Sequence, residues 1–195
     1  MQTKNLRYYK RYRMELDLRR WRCSERSLPP GYSLIPWNPW LLEEHAEVKY
    51  LSFRDEIDAQ VFPCLGAYES CRLLMQEIQG KKGFLPEATW LARYDDGELE
   101  SGHARYCGTI QAIVSQQERG GIQNIGVTPH HRGNGLGIAL IMASLKSFQQ
   151  LGLCRARLEV TAVNQRAVEL YQRLGFSTVR TLYKTVELAY CDSAR

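Results

Sequence analysis

The sequence predicts one α/β domain, a mixed β-sheet with helices on its faces. Short strand-like runs fill the middle of the chain, at 88–94, at 104–115, which is rich in Ile and Val, and at 122–127. Helical and extended patterns then alternate, with a helix at 135–150, a strand at 154–160, a helix at 164–174 and extended chain within 176–189. Strands first and crossover helices later give this layered arrangement. The chain has 195 residues, 44% hydrophobic and 24% charged, enough for one sizeable core.

In chain order, residues 7–22 alternate in part. Tyr12, Met14, Leu16 and Leu18 fall on one face, and Arg11, Arg13, Glu15, Asp17 and Arg19 on the other. A period of two with one charged face reads as an edge strand. Leu28-Pro29-Pro30-Gly31 breaks it, and Tyr32 to Ile35 is a short strand. Pro39 marks a helix start with Asn38 as cap, and that helix would bury Leu41, Leu42, His45, Val48 and Leu51. Pro63 and Gly66 precede a second helix, Tyr68 to Gln79, closed by Gly80 to Gly83. The strand Ala88–Tyr94 ends in the turn Asp95-Asp96-Gly97, and Gly120-Gly121 is expected to turn the chain between the next two strands.

No apolar run is long enough to span a bilayer, and the N-terminus lacks an apolar signal core, so a cytoplasmic protein without a membrane partner is expected. Six cysteines, at 23, 64, 71, 107, 154 and 191, form no C-x-x-C pair and meet no clustered histidines. Reduced thiols and no metal are the expectation. The net charge of +5 sits unevenly: residues 1–26 hold nine Lys/Arg against Glu15, Asp17 and Glu25, leaving the remainder nearly neutral. Residues 1–27 thus read as a basic arm or strand ahead of a domain at 28–195. A solvated strand face competes with an electrostatic contact to RNA, a ribosome or an acidic partner, for which Tyr8 and Tyr9 could stack on bases. An N-terminal edge strand could also pair two copies into a homodimer.

The most informative stretch is Ile125-Gly-Val-Thr-Pro-His-His-Arg132-Gly-Asn-Gly-Leu-Gly137. Glycines let a ligand approach backbone amides without a Cβ in the way. A helix start offers unpaired N–H groups and the positive end of the peptide dipoles, which suits a pyrophosphate, and Arg132 adds a cation. Three readings are open. The first is a plain turn at Gly133, Gly135 and Gly137. The second is a dinucleotide site, helped by Glu159 but lacking the third glycine, because Ile138 or Leu140 stands there. The third is a pyrophosphate loop.

Arg132-x-x-Gly135-x-Gly137 resembles the Arg/Gln-x-x-Gly-x-Gly/Ala loop of the GNAT superfamily of acyl-CoA N-acyltransferases. The later run Asn164…Ala167…Leu170-Tyr171…Leu174-Gly175-Phe176 resembles the second half of that family's signature. The resemblance covers about a quarter of the chain. It implies a GNAT fold, a central, mostly antiparallel splayed sheet flanked by helices, here with an extra N-terminal strand. It also implies acetyl-CoA as co-substrate and transfer of the acetyl group to a primary amine by direct attack in a ternary complex. On this resemblance Ile125, Gly126 and Val127 line the pantetheine arm, and the Val127 backbone amide polarises the thioester carbonyl. Arg132, Gly133, Asn134, Gly135, Leu136 and Gly137 hold the pyrophosphate. Asn164 contacts pantetheine, with a helix cap as its plain alternative. Tyr171 protonates the departing thiolate, with core packing as its alternative.

The general base is not legible. Residues 122–125 hold no carboxylate, Glu118 is the nearest acid by sequence, His130 and His131 sit in a loop, and ordered water could take the proton. The acceptor could be a small-molecule amine, a peptide N-terminus or a lysine. The likeness of Ile-Gln-Asn-Ile-Gly-Val to enzymes acetylating a ribosomal protein's N-terminus is short. Trp37, Trp40, Tyr50, Phe53, Phe62 and Tyr68 could frame a hydrophobic or cationic acceptor. Asp95, Asp96 and Glu100 could attract a polyamine. The competing class is a non-catalytic module that senses acyl-CoA or binds ribosome or RNA. Retention of both Asn164 and Tyr171 favours the enzyme.

Overall fold

A computed structural model of the chain describes residues 6–22, 27–95, 105–115 and 118–187. Its strands are β1 (Leu6–Asp17), β2 (Tyr32–Pro36), β3 (Trp90–Tyr94), β4 (Arg105–Ser115), β5 (Arg119–Val127), β6 (Arg155–Thr161) and β7 (Ser177–Glu187). Its helices are α1 (Leu42–Phe53), α2 (Ile57–Val61), α3 (Tyr68–Gln79), α4 (Leu136–Gln150) and α5 (Gln165–Arg173). They build a seven-stranded sheet in the order β2-β3-β4-β5-β6-β1-β7. Every neighbouring pair is antiparallel except β5 and β6, which the crossover through α4 makes parallel.

Two cores flank the sheet. Phe148, Leu140, Ile141 and Leu145 of α4 pack with Met14, Leu16, Ile110 and Leu158 from the strands. On the other face Ala46 of α1 and Cys71, Met75 and Ile78 of α3 form a second cluster with Trp37, Phe84 and Ile113. A β-bulge in β5 links the two faces. Gln111 pairs with Asn124 but Ala112 with Ile122, so Gln123 is the extra residue. One extra residue reverses the side-chain alternation and bends the strand. Gly120, before the bulge, faces α4, and Gly126, after it, faces α1.

Three expectations need correction. The N-terminal strand is not at an edge: β1 lies between β6 and β7 and is paired along most of its length with both. Its charged face is neutralised within the sheet. Glu159 pairs with Arg13, and Glu15 with Arg119 and Arg155, across sequence separations that alternation cannot reveal. Gly120 and Gly121 are strand, not turn. The phenyl ring of Phe148 lies 2.6 Å from where a Gly120 Cβ would stand, so helix packing demands the glycine. The helix expected from Pro39 begins as a single 3-10 turn capped by Asn38, and α1 buries His45, Val48, Lys49 and Ser52, with Leu41, Leu42 and Leu51 only half-buried. The short helix α2 carried no sequence signal. Asp96, Gly97 and Glu100 lie outside the described residues. The four described cysteines, Cys64, Cys71, Cys107 and Cys154, are free thiols.

Candidate active site

The glycine loop joins β5 to α4 through a 3-10 turn at Pro129–His131. Gly133 and Gly135 take left-handed φ angles of 82° and 79°, which a side chain would strain. Gly135 is the N-cap of α4, and it supplies no side-chain cap; the first turn holds no acidic residue. The first intrahelical bond is Ala139 N–H to Gly135 O. Among the described residues no cap or turn bond is recorded for the amides of residues 133–138, at the positive end of a helix 15 residues long. A Cβ on Gly133, Gly135 or Gly137 would meet nothing within 4 Å. Gly137 has no left-handed φ to explain it, so the protein's own packing does not require a glycine there.

Arg132 departs from the expected free cation. Its guanidinium turns back under the loop, donating to Val127 O and Ser52 O at 2.9 Å each and pairing with Glu56. The side chain thereby ties the loop to the C-terminus of α1 and the approach to α2. A second brace comes from β2. The Tyr32 hydroxyl meets His131 Nδ1 at 2.9 Å and accepts from Asn134 Nδ2 at 3.3 Å, with Tyr94 packed on both rings. His131 is therefore a loop brace, and its pKa is lowered by partial burial.

Strands β5 and β6 pair only from Arg119 to Gly121 and from Arg155 to Arg157, then part. Thr128 N–H donates to Cys107 O across the β4 ladder. Antiparallel ladders alternate inward and outward amides, so the N–H of Val127, one residue earlier, faces the gap, as does that of Ile125. Gly126 has a packing reason of its own: Ser52 Cβ stands 2.6 Å from its would-be Cβ, so the close neighbour is α1.

The gap widens into a cavity of about 420 Å³ lined by Asn124, Ile125, Leu158, Glu159, Asn164 and Tyr171, among others. Asn164 caps α5, its Oδ1 accepting from Ala167 N–H at 3.2 Å, and its side chain also lines the cavity. Tyr171 is buried, edge-on to Phe176 at 6.1 Å between centroids. Burial pushes its phenol well above the ordinary value; Asp58 adds to the rise and Arg11 opposes it. The phenol is therefore protonated at neutral pH and available as a donor.

Of the acids and bases nearest in sequence, none reaches the cavity lining. Glu118 sits in the β4–β5 turn at a φ of 56°, and its carboxylate lies beside the Cys154 thiol. His130 is exposed in the 3-10 turn. Of the aromatic residues considered for the acceptor, Phe53 and Phe62 line the cavity, and Trp37 packs on His45 and Phe84.

Sequence reasoning missed two polar groupings. In one, Arg11 from β1 reaches the cavity, where it is 8% exposed and meets Asp58 of α2 and Thr161 and Glu159 of β6. Only alternation on β1 hinted at it. In the other, Lys49 is fully buried beneath the sheet and donates to Gln111 and Asn124 amide oxygens. Its pKa is lowered to about 7 by burial, and that of the neighbouring His45 to about 3, first by burial and then by Lys49. Helical periodicity correctly placed His45 inward, but nothing in the sequence marked Lys49.

Comparison with known proteins follows the same outline. The model of the acetyltransferase (GNAT) family matches residues 53–176. The mycothiol acetyltransferase of Streptomyces avermitilis is 34% identical over 122 residues, which is 60% of this chain and 37% of that protein. The chain spans about a third of the length of the curated relatives it matches. A GCN5-related N-acetyltransferase from Sphaerobacter thermophilus superposes with a TM-score of 0.67 at 22% identity, over 93% of this chain and 53% of that one. Arabidopsis thaliana Naa50, in complex with the bisubstrate analogue CoA-Ac-MVNAL, superposes with a TM-score of 0.51 at 22% identity, over 75% of this chain and 83% of that one. At these identities the structural likeness concerns the fold.

Proposed function

This chain belongs to the acetyltransferase (GNAT) family, and from that premise we propose that it transfers an acetyl group from acetyl-CoA to a primary amine by direct attack in a ternary complex. The observation that carries this reading is the run of amides at residues 133–138 without a partner among the described residues, placed next to a gap that the Val127 N–H faces. Gly133 to Gly137 and the head of α4 supply fixed donors for a pyrophosphate. Ile125, Gly126 and Val127 offer a strand edge along which an extended pantetheine arm can lie. Asn164 stands across the gap, where its amide can serve the arm while its oxygen caps α5.

Each residue then has a chemical task. The Val127 amide stabilises the oxyanion that forms as the amine adds to the thioester carbonyl, and a backbone donor is already oriented for that charge. Tyr171 gives its proton to the departing thiolate. Its raised pKa keeps the proton in place until then, and the dry surroundings that raise it also raise the proton affinity of a thiolate beside it. Arg132, locked to Val127 O and Ser52 O, holds cradle and oxyanion donor in one geometry. The cavity beyond the gap receives the amine.

The test is calorimetric titration of the protein with acetyl-CoA, with NADH and ATP run in parallel, followed by an amine screen read as free-thiol release. Binding of acetyl-CoA alone, with amine-dependent thiol release, is expected. Preference for NADH would overturn the reading, and acetyl-CoA binding without turnover of any amine would favour a sensing module.

A further inference from the structure

Attack on a thioester needs a neutral amine, so a protonated acceptor must first lose a proton. Strand β5 supplies no carboxylate for this. Two carboxylates line the cavity instead, Asp58 on α2 and Glu159 on β6. They are not equivalent. Both oxygens of Glu159 face guanidinium groups: Oε1 accepts from Arg13 Nε and Nη2 at 3.0 and 2.9 Å, and Oε2 lies 3.9 Å from Arg11 Nε. Asp58 is held by one oxygen. Its Oδ1 accepts from the Thr161 hydroxyl at 2.7 Å and lies 3.9 Å from Arg11 Nη1. No described residue pairs with its Oδ2.

The hold on Asp58 is built from distant segments. Arg11 Nη1 donates to Thr161 Oγ1 at 3.0 Å, which commits the hydroxyl proton to Asp58. Thr161 is 1% exposed, and the Arg11 guanidinium lies 4.6 Å from the Phe62 ring centroid. A network this buried is costly unless its members are paired, and here Asp58, which lines the cavity, leaves one oxygen without a partner among the described residues. The groups around it are Arg11 on β1, Glu159 and Arg157 on β6, Tyr171 on α5 and Cys64, with Lys184 of β7 also 5.7 Å from the Phe62 ring centroid. The remaining wall has an apolar part, from Phe53, Phe62, Leu65, Leu74 and Ile78, and a polar part, from Gln123, Asn124 and Asn164.

We propose that Asp58 Oδ2 receives the acceptor's ammonium and takes its proton, with Arg11 and Thr161 as positioning residues, and that the acceptor is a primary amine on a compact body with an apolar side. This rests on the acetyl-transfer reading above. Asp58 takes one proton from the ammonium and passes it to solvent. The neutral nitrogen forms the C–N bond, the C–S bond breaks, and the thiolate takes the Tyr171 proton. The second nitrogen proton, shed as the amide forms, restores the phenol. The products are the amide, the free thiol and one released proton. The N-terminal strand thereby has a role in the acceptor site, through Arg11.

The experiment compares wild type, Asp58→Asn and Glu159→Gln with two amines, leucinamide and 2-phenylethylamine, across pH, with acetyl-CoA affinity measured separately. Asn keeps the bond from Thr161. For D58N the account expects unchanged acetyl-CoA affinity and kcat/KM lowered about 100-fold for both amines near neutral pH. With leucinamide, an α-amine titrating near 8, the deficit closes by about pH 9; with 2-phenylethylamine, whose amine resembles that of lysine, it persists there. E159Q is expected to lower kcat/KM clearly less than D58N does at the same pH. Wild-type kcat/KM in D58N, or the same deficit for both amines at every pH, would overturn the role of Asp58 while leaving acetyl transfer intact. Turnover of neither amine by wild type that binds acetyl-CoA would overturn the acceptor class, and no acetyl-CoA binding would overturn both proposals.

Discussion

A glutamate at position 137 should make the protein more stable and its cradle useless, two effects of opposite sign from one side chain. Gly137 is the second residue of α4, in a first turn with no acidic group and no side-chain cap. A Cβ built there meets nothing within 4 Å. Replacing Gly by Glu gains about 0.5 kcal/mol of helix propensity. The carboxylate at the positive end of the helix adds roughly 0.3–1 kcal/mol. Together these raise Tm by about 2–4 °C for a domain of this size. A carboxylate within about 5 Å of a bound pyrophosphate is repelled by roughly 3 kcal/mol per phosphate charge at an effective dielectric near 20. Screening reduces this, yet about 100-fold weaker acetyl-CoA binding, near 2.7 kcal/mol, remains a modest expectation. Thermal melting and calorimetry on Gly137→Glu and Gly137→Ala read both effects. G137A should gain stability and keep affinity within a few fold, since its methyl group has room. Wild-type affinity in G137E would refute the idea that these amides face the pyrophosphate, and a lowered Tm would refute the account of the open helix end.

Tyr171→Phe should lower kcat about 100-fold with acetyl-CoA affinity nearly unchanged, read by thiol release and calorimetry; unchanged turnover would remove the acid role. Asn164→Ala loses the α5 cap and should cost about 1 kcal/mol of stability, whereas Asn164→Asp keeps the cap; weaker acetyl-CoA binding in N164D at unchanged Tm would separate the ligand contact from the cap. Lys49 binds its proton less tightly folded, at about 7, than unfolded, near 10.5, so the unfolded chain carries the extra proton between those values. Stability should therefore rise with pH above about 7, by up to about 1.4 kcal/mol per unit, in urea unfolding between roughly pH 7 and 8.5. The window stops there because the Cys71 and Cys107 thiols, pushed up to about 11 by burial, contribute in the opposite direction above their ordinary value. Lys49→Met should flatten the slope, and an equal slope in both proteins would show that Lys49 is not the group responsible.

The strand, glycine turn and helix start were legible because their physics is local: left-handed glycines, a helix start and a preceding strand are all written within residues 125–137. Asn164 and Tyr171 were singled out by the family signature, and both line the cavity. The proposed acceptor side was not legible, because it is assembled across the fold. Arg11, Asp58 and Thr161 are joined by bonds spanning 150 and 103 positions. A charged alternate on β1 looks the same whether it meets water or a buried carboxylate. Gly120 read as a turn for a similar reason, since only the Phe148 ring on α4 explains it. Arg132 looked like a free cation until its partners, Glu56 and two carbonyl groups, came from α1 and the strand before it.

The most direct measurement is a backbone amide NMR titration with acetyl-CoA. The account predicts the largest shifts at the amides of Gly133, Asn134, Gly135, Leu136 and Gly137, with Val127 following when the acetyl thioester is present and less so with free CoA. Saturable binding that leaves these amides unmoved and shifts residues elsewhere would contradict it.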